Sequence, residues 1–368
     1  MKIRCSQSQL LFGLNTVQKA VPSKSSMTIL ECILFTADEE GIKLTANDME
    51  LGIETYIEGT VEIAGEIAVE AKMISNLIRS YSGDKGDEFV IESDDTNNVH
   101  IYYHNSKLNI PGRSTEEFVL LPELDKEDPI EISQFSLKEI IRQTIFSISD
   151  NDTNKIMTGE LFEIKNDQFK VVSLDGHRIS VRNITLKNSY DERSVIIPGK
   201  TLQELLKIIP GDVDKDVSIY LCENHVIFEY ESVKVVSRII EGNYFKIDQM
   251  ISNDFETKFD INKKDLLEVI NRSTLLITEG DKKPLIFNIE DDKVSLSLTS
   301  KNASMNDDIE ITKTGKDIRI GFNPKFLKDA LGVIEDENVT IYMVNPKAPC
   351  IIKNEEESYL YLILPVNF

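Results

Sequence analysis

The sequence predicts an α+β fold in which one domain, with two helices and mostly antiparallel strands, is repeated three times in tandem. Three observations predict it. Four kinds of segment recur in the same order, at intervals of roughly 125 residues, a usual size for one domain. The chain has 368 residues, 41% of them hydrophobic, which is enough for two or three domains with real cores. Within each copy the apolar spacing alternates between period two and i, i+3, i+4, so strands and helices interleave.

The first recurring segment is a short strand running into a helix. It reads KIRCSQSQLLFGLNTVQKAV from Lys2, IEISQFSLKEIIRQTIFSI from Ile130 and FDINKKDLLEVINRSTLLI from Phe259. Leu10, Leu11, Leu14 and Val17 form one helical stripe, Ile140, Ile141 and Ile145 the next, and Leu266, Leu267 and Ile270 the third. Ser6, Ser136 and Asn262 stand where an N-cap belongs. The second segment is a strand pair around a polar turn at Glu39-Glu40-Gly41, Asn166-Asp167 and Asp291-Asp292. In the third, a strand switches to a helix at Ala71-Lys72, Pro198-Gly199-Lys200 and Asn323-Pro324-Lys325, with Pro324 suited to a first helical turn. A strand pair closes each copy, led by Val90-Ile91, Val217-Ser218-Ile219 and Val339-Thr340-Ile341. Boundaries are expected near Asp125–Pro129 and Ile251–Asp254, which gives domains over 1–126, 127–252 and 253–368.

The formal charge is −22, which taken alone argues against a nucleic-acid partner. The distribution reverses that reading. The predicted helices span Ser8–Val21, Lys72–Ser82, Ser136–Ser149, Lys200–Ile209, Lys263–Ile277 and Asn323–Ile334. They hold 12 of the 41 Lys and Arg residues but only 5 of the 63 Asp and Glu residues. Helices sharing one surface would make a basic track on an acidic body, able to attract phosphate without reading bases. The residues expected on it are Lys72, Arg79, Lys138, Arg142, Lys200, Lys207, Lys263, Lys264, Arg272, Lys325 and Lys328, with Lys19 at its start.

Catalytic chemistry is not expected. Pro198-Gly199-Lys200-Thr201 ends like a phosphate-binding loop, but Ser194 occupies the position where that motif needs glycine. His177 adjoins Asp175 across Gly176, with no nucleophile or metal-ligand partner nearby. His100, His104 and His225 lack metal-site spacing, so neither a metal nor a cofactor is expected. Cys5, Cys32, Cys222 and Cys350 lie in apolar stretches and read as free thiols of a reducing cytosol. No apolar run approaches the roughly 20 residues of a membrane span. The start, Met1-Lys2-Ile3-Arg4-Cys5, enters a strand pattern without a charged-then-apolar leader, so a cytoplasmic location is expected.

Several segments, taken in order, resemble the bacterial DNA polymerase III beta subunit family, the DNA sliding clamps. They are Thr45-Ala46-Asn47-Asp48-Met49-Glu50, Asp175-Gly176-His177-Arg178, Val195-Ile196-Ile197-Pro198, Glu241-Gly242-Asn243-Tyr244 and Leu362-Ile363-Leu364-Pro365-Val366. The resemblance spans the whole chain. It implies a non-catalytic processivity factor: a head-to-tail homodimer closing a ring around duplex DNA, with helices lining the hole. Its implied partners are the replicative polymerase, the clamp loader and other proteins bearing a clamp-binding motif. The implied peptide pocket comprises Met157, Leu174, Gly176, His177, Arg178, Ile179, Phe245, Met250, Pro346, Ala348, Leu362, Ile363, Leu364, Pro365 and Val366. Lys24 stands at a family DNA-contact position, and Leu108 and Ile110 would meet Leu276 and Ile277 across the dimer contact. The family often has Pro where Phe245 stands and Arg where Asn367 stands, so the pocket rim departs from pattern. Two other readings compete: a metal-dependent nuclease with a basic groove, which would need acids converging beside the helices, and a repeat protein that binds only proteins.

Overall fold

The computed structural model describes residues 1–83, 87–151, 153–252, 254–277 and 283–368. The expected border residue 253 lies outside them.

Among the described residues six α-helices form, two per repeat. They are α1 (Gln7–Val17), α2 (Ala71–Ser80), α3 (Gln134–Arg142), α4 (Gly199–Ile208), α5 (Lys263–Leu275) and α6 (Pro324–Val333). Local chemistry starts them. The Ser6 hydroxyl accepts from the Gln9 amide at 3.3 Å, Asn262 accepts from Asp265 at 3.1 Å, and Asn323 accepts from Lys325 at 3.0 Å. Pro324 opens α6 as expected. The cap expected at Ser136 is wrong, because α3 begins at Gln134 and Ser136 lies within it.

The helix ends expected from periodicity were also too long. α1 stops at Val17 and tightens into a 3₁₀ turn over Gln18–Ala20. α3 stops at Arg142, and a 3₁₀ turn follows at Ile145–Ser147. There the Thr144 hydroxyl donates back to the Ile140 carbonyl at 2.8 Å, competing with the helical ladder.

The strands are antiparallel. In all three repeats the first hairpin turns through a left-handed residue: Gly41 at φ 129°, Asn166 at φ 55° and Asp291 at φ 48°. Each is a residue type that tolerates that region. In the middle repeat the strands run on as Gly159–Leu174 and Arg178–Pro198, a long pair interrupted by register shifts near Asn166.

Packing divides the chain into two compact units, Met1–Phe135 with Gln203–Ile239, and Ser136–Leu202 with Ile240–Phe368. The division cuts the middle repeat because sheets continue across repeat borders. In the first unit, Val233–Arg238 of repeat two pairs with Leu51–Ile57 of repeat one, with Val235 opposite Ile53 and Ser237 opposite Leu51. These strands belong to a 13-stranded sheet. In the second unit, Tyr359–Ile363 of repeat three pairs with Arg178–Arg182 of repeat two, with Ile363 opposite Arg178 and Leu360 opposite Val181. α1 and α2 pack together in the first unit, and α5 and α6 in the second.

Candidate functional site

In the second unit a turn links the two long strands. The Asp175 carboxylate accepts from the His177 amide at 2.9 Å and from the Arg178 amide at 3.1 Å, fixing the turn locally. Gly176 sits at φ 87°, where a side chain would strain the backbone. The Leu364 amide donates to the His177 carbonyl at 2.9 Å, so the C-terminal segment is stitched to the turn. Leu174, Ile179 and Leu362 are buried together with Val172, Val181, Ile247 and Ile351, and Met157 and Phe245 pack at the edge. Met250 and Leu364 keep large exposed apolar surfaces. The result is an apolar surface edged by Met157, suited to short apolar side chains.

Arg178 has a different place from its neighbours. It is 8% exposed, and its guanidinium bonds Asp175 at 3.0 Å, Asp329 of α6 at 2.6 Å and the Phe146 carbonyl. It also lies over the Phe326 ring, 4.5 Å from the centroid. Its donors are committed, so it braces the turn from behind. Asp329 and Phe326 were missed in the sequence, since 151 residues separate Asp329 from Arg178 and neither carries a local signal. His177 stacks at 6.1 Å from the same Phe326 ring. Pro346 is exposed on a loop turned by Asn345, whose side chain accepts from the Ala348 amide at 3.0 Å. Ile363 is buried on the opposite side of its strand from Leu362 and Leu364, among the core of repeat three. Pro365 and Val366 are half-buried, and the Val366 amide donates to the Gly321 carbonyl at 2.8 Å.

Glu160 is fully buried, and burial pushes its pKa well above the usual carboxylate range, against the smaller opposing pull of the Thr144 side chain.

The helical cations divide into exposed and committed groups. α2 exposes Lys72 and Arg79 with no acid on the helix, and α6 exposes Lys325 and Lys328 at i, i+3. Lys24 and Lys264 are exposed as well, and so is Lys200, which is not without a polar or charged partner. Others are half-buried or paired: Lys138 is half-buried, Arg142 bonds Glu139 at 2.6 Å, Lys207 bonds Glu204 at 2.7 Å and Arg272 meets Asp307 at 3.3 Å. Lys263 is half-buried and donates to the Ile334 carbonyl at the end of α6. α1 exposes Phe12 and Asn15 but no charge. The basic surface is therefore carried chiefly by the second helix of each repeat. Among the described residues no group of three or more His, Cys, Asp or Glu could hold a metal, and no helix is long and apolar enough to cross a membrane.

Family models match the chain along nearly its whole length. The N-terminal, central and C-terminal domains of the DNA polymerase III beta subunit match residues 1–122, 131–246 and 248–367. A solved structure from Eubacterium rectale, described as a DNA polymerase III beta subunit, is 56% identical, with a TM-score of 0.97 over 100% of this chain and 99% of that one. The chain belongs to the DNA polymerase III beta subunit family.

The DNA polymerase sliding clamp of Bacillus subtilis is 27% identical, with a TM-score of 0.95 over 100% of this chain and 99% of that one. The beta sliding clamp of Staphylococcus epidermidis is 29% identical over 100% of this chain and 99% of its own length. Membership in this family confirms the three tandem clamp repeats and removes the nuclease reading.

Proposed function

We infer that this chain is a sliding clamp: two copies close a ring on duplex DNA and tether the replicative polymerase, without chemistry of their own. The observation that carries the ring is a mismatch of strand edges. Strand Val233–Arg238 finds its outer partner in repeat one, and Tyr359–Ile363 finds its partner in repeat two. The equivalent strand of repeat one, Ser106–Arg113, has its outer side unpaired over Ser106–Pro111 among the described residues. The equivalent edge in repeat three, Ser304–Glu310, pairs on one side only among the described residues. An unpaired edge invites another strand. Head-to-tail pairing of these two edges between chains closes the set, with Lys107 on one edge and Asp307, Asp308 and Glu310 on the other.

Leu108 and Ile110 lie on the first edge, and Leu276 and Ile277 follow α5 in repeat three. Leu275, 83% exposed, joins them as a contact that the sequence reading passed over. The repeats are placed at 1–126, 127–252 and 253–368. The peptide pocket is placed around Leu174, Gly176, His177, Leu362 and Leu364, and the DNA-facing surface on the exposed cations of α2 and α6 with Lys24, Lys200 and Lys264. The ring works in the cytoplasm, with a loader to open it.

Processivity then follows from topology and from the raised effective concentration of the tethered polymerase. The test is retention on DNA. Loaded protein is expected to stay on nicked circular DNA in high salt and to be lost when the circle is linearised. Equal loss from both forms overturns the ring.

A further inference from the structure

The first unit contains a copy of the backbone that builds the peptide pocket. Asp48 accepts from the Glu50 amide at 3.0 Å and the Leu51 amide at 2.7 Å, as Asp175 does from His177 and Arg178. The Arg238 amide donates to the Glu50 carbonyl at 2.9 Å, as the Leu364 amide does to that of His177. Ser237 stands opposite Leu51 in the sheet, as Ile363 stands opposite Arg178. Met49 thus corresponds to Gly176, Glu50 to His177, Val236 to Leu362 and Arg238 to Leu364. The segment following repeat one is fastened here, with the Asn47 side chain donating to the Val119 carbonyl at 3.0 Å.

A cavity of about 220 Å³ opens at this place, walled by Met49, Leu120, Leu121, Pro122 and Val236, with Glu50 and Arg238 also in its lining. Two walls remain open to solvent, since Leu120 is 65% exposed and Met49 is 49% exposed. Met49 holds φ 75°, a region that strains a backbone carrying a side chain, at the position where the second unit uses glycine. The Arg238 guanidinium is exposed and has no ion-pair partner among the described residues. Together with burial, its charge lowers the pKa of His225, which also lines the cavity.

We propose that this cavity is a second peptide site, which takes a linear segment with an apolar anchor beside an acidic residue. The analogy rests on the peptide-pocket reading above; the cavity and its cation do not. The apolar side chain enters between Met49, Leu120 and Val236, and the carboxylate meets Arg238. That pairing has no counterpart at the second site, where Leu364 stands for Arg238. Glu50, which stands for His177, lies on the other side of Met49 in sequence from Asp48 and leaves Arg238 as the cation of the lining.

The test uses the full chain labelled at its methionine methyl groups. Met49 reports this cavity, and Met157 and Met250 report the pocket of the second unit. The probe is an acetylated, amidated Leu-Asp-Leu-Asp-Leu peptide, with Leu-Lys-Leu-Lys-Leu as control. The Met49 methyl is expected to shift saturably with the acidic peptide, to persist in Leu364→Asp, and to lose affinity about tenfold in Arg238→Glu. A Met49 signal that never moves, that moves equally with the basic peptide, or that is lost in Leu364→Asp overturns the second site. A response at Met49 with none at Met157 or Met250 keeps this site and overturns the pocket assigned to the second unit.

Discussion

At the junction of repeats one and two, Arg238 occupies the place that Leu364 takes at the junction of repeats two and three. Met49 likewise stands for Gly176, and Leu51 for Arg178. The backbone hydrogen bonds are the same at both, down to the aspartate that closes each turn. The difference lies in side chains alone, and it teaches that the fold supplies the groove while a few substitutions decide what the groove accepts. Behind the second junction Arg178 ties the turn to α6 through Asp329. Behind the first, Leu51 is buried and carries no charge to tie.

The largest expected break in this comparison is Arg178→Ala. It leaves Asp175 and Asp329 without their shared cation, and removing one partner of a buried pair costs about 3–5 kcal/mol. Chemical denaturation is expected to register that loss, whereas Leu51→Ala, a cavity change without buried charge, sits at the lower end of about 2–5 kcal/mol. A loss for Arg178→Ala well under 1 kcal/mol contradicts the bracing role.

Next is Met157→Asp with Leu364→Asp. Two charges placed in an apolar anchor site weaken a polymerase-derived peptide by about 2 kcal/mol or more, roughly 30-fold, read by fluorescence anisotropy. Sedimentation is expected to find the dimer unchanged. Unchanged peptide affinity refutes the pocket assignment.

The smallest effect sharpens the comparison from the other side. Met49→Gly relieves a left-handed side chain and is expected to raise stability by about 1 kcal/mol, net of the freedom glycine adds to the unfolded chain. Gly176→Met should lower stability by a similar amount, about 1 kcal/mol, because a Cβ there meets no atom within 4 Å and only the backbone resists. Thermal melts of the two variants measure both signs.

The hairpin turns and strand-to-helix switches of all three repeats, and the caps at Ser6 and Asn262 but not the one expected at Ser136, were legible from periodicity and polar punctuation, because those signals act within a few residues. Asn262 and Asn323 cap their helices for that reason. Helix ends were less legible. At Thr144 a hydroxyl turns back on the helix carbonyls, a competition that apolar spacing does not encode. Of the apolar pocket residues that family resemblance implied, Leu174, Ile179 and Leu362 share one cluster with Met157 and Phe245 against it, whereas Ile363 packs in the core of repeat three. The committed state of Arg178, Lys263, Lys207 and Arg272 was invisible, since a basic residue reads alike whether it faces solvent or an acid.

The sequence by itself determined the threefold repeat, the α+β character of each copy and the excess of positive charge on helices. Each depends on local spacing and composition. Only the tertiary structure decided which cations stay exposed, which strand edges remain unpaired, and that Asp48 and Asp175 close matching turns. Those properties arise where residues far apart in the chain compete for the same hydrogen bonds and the same buried space.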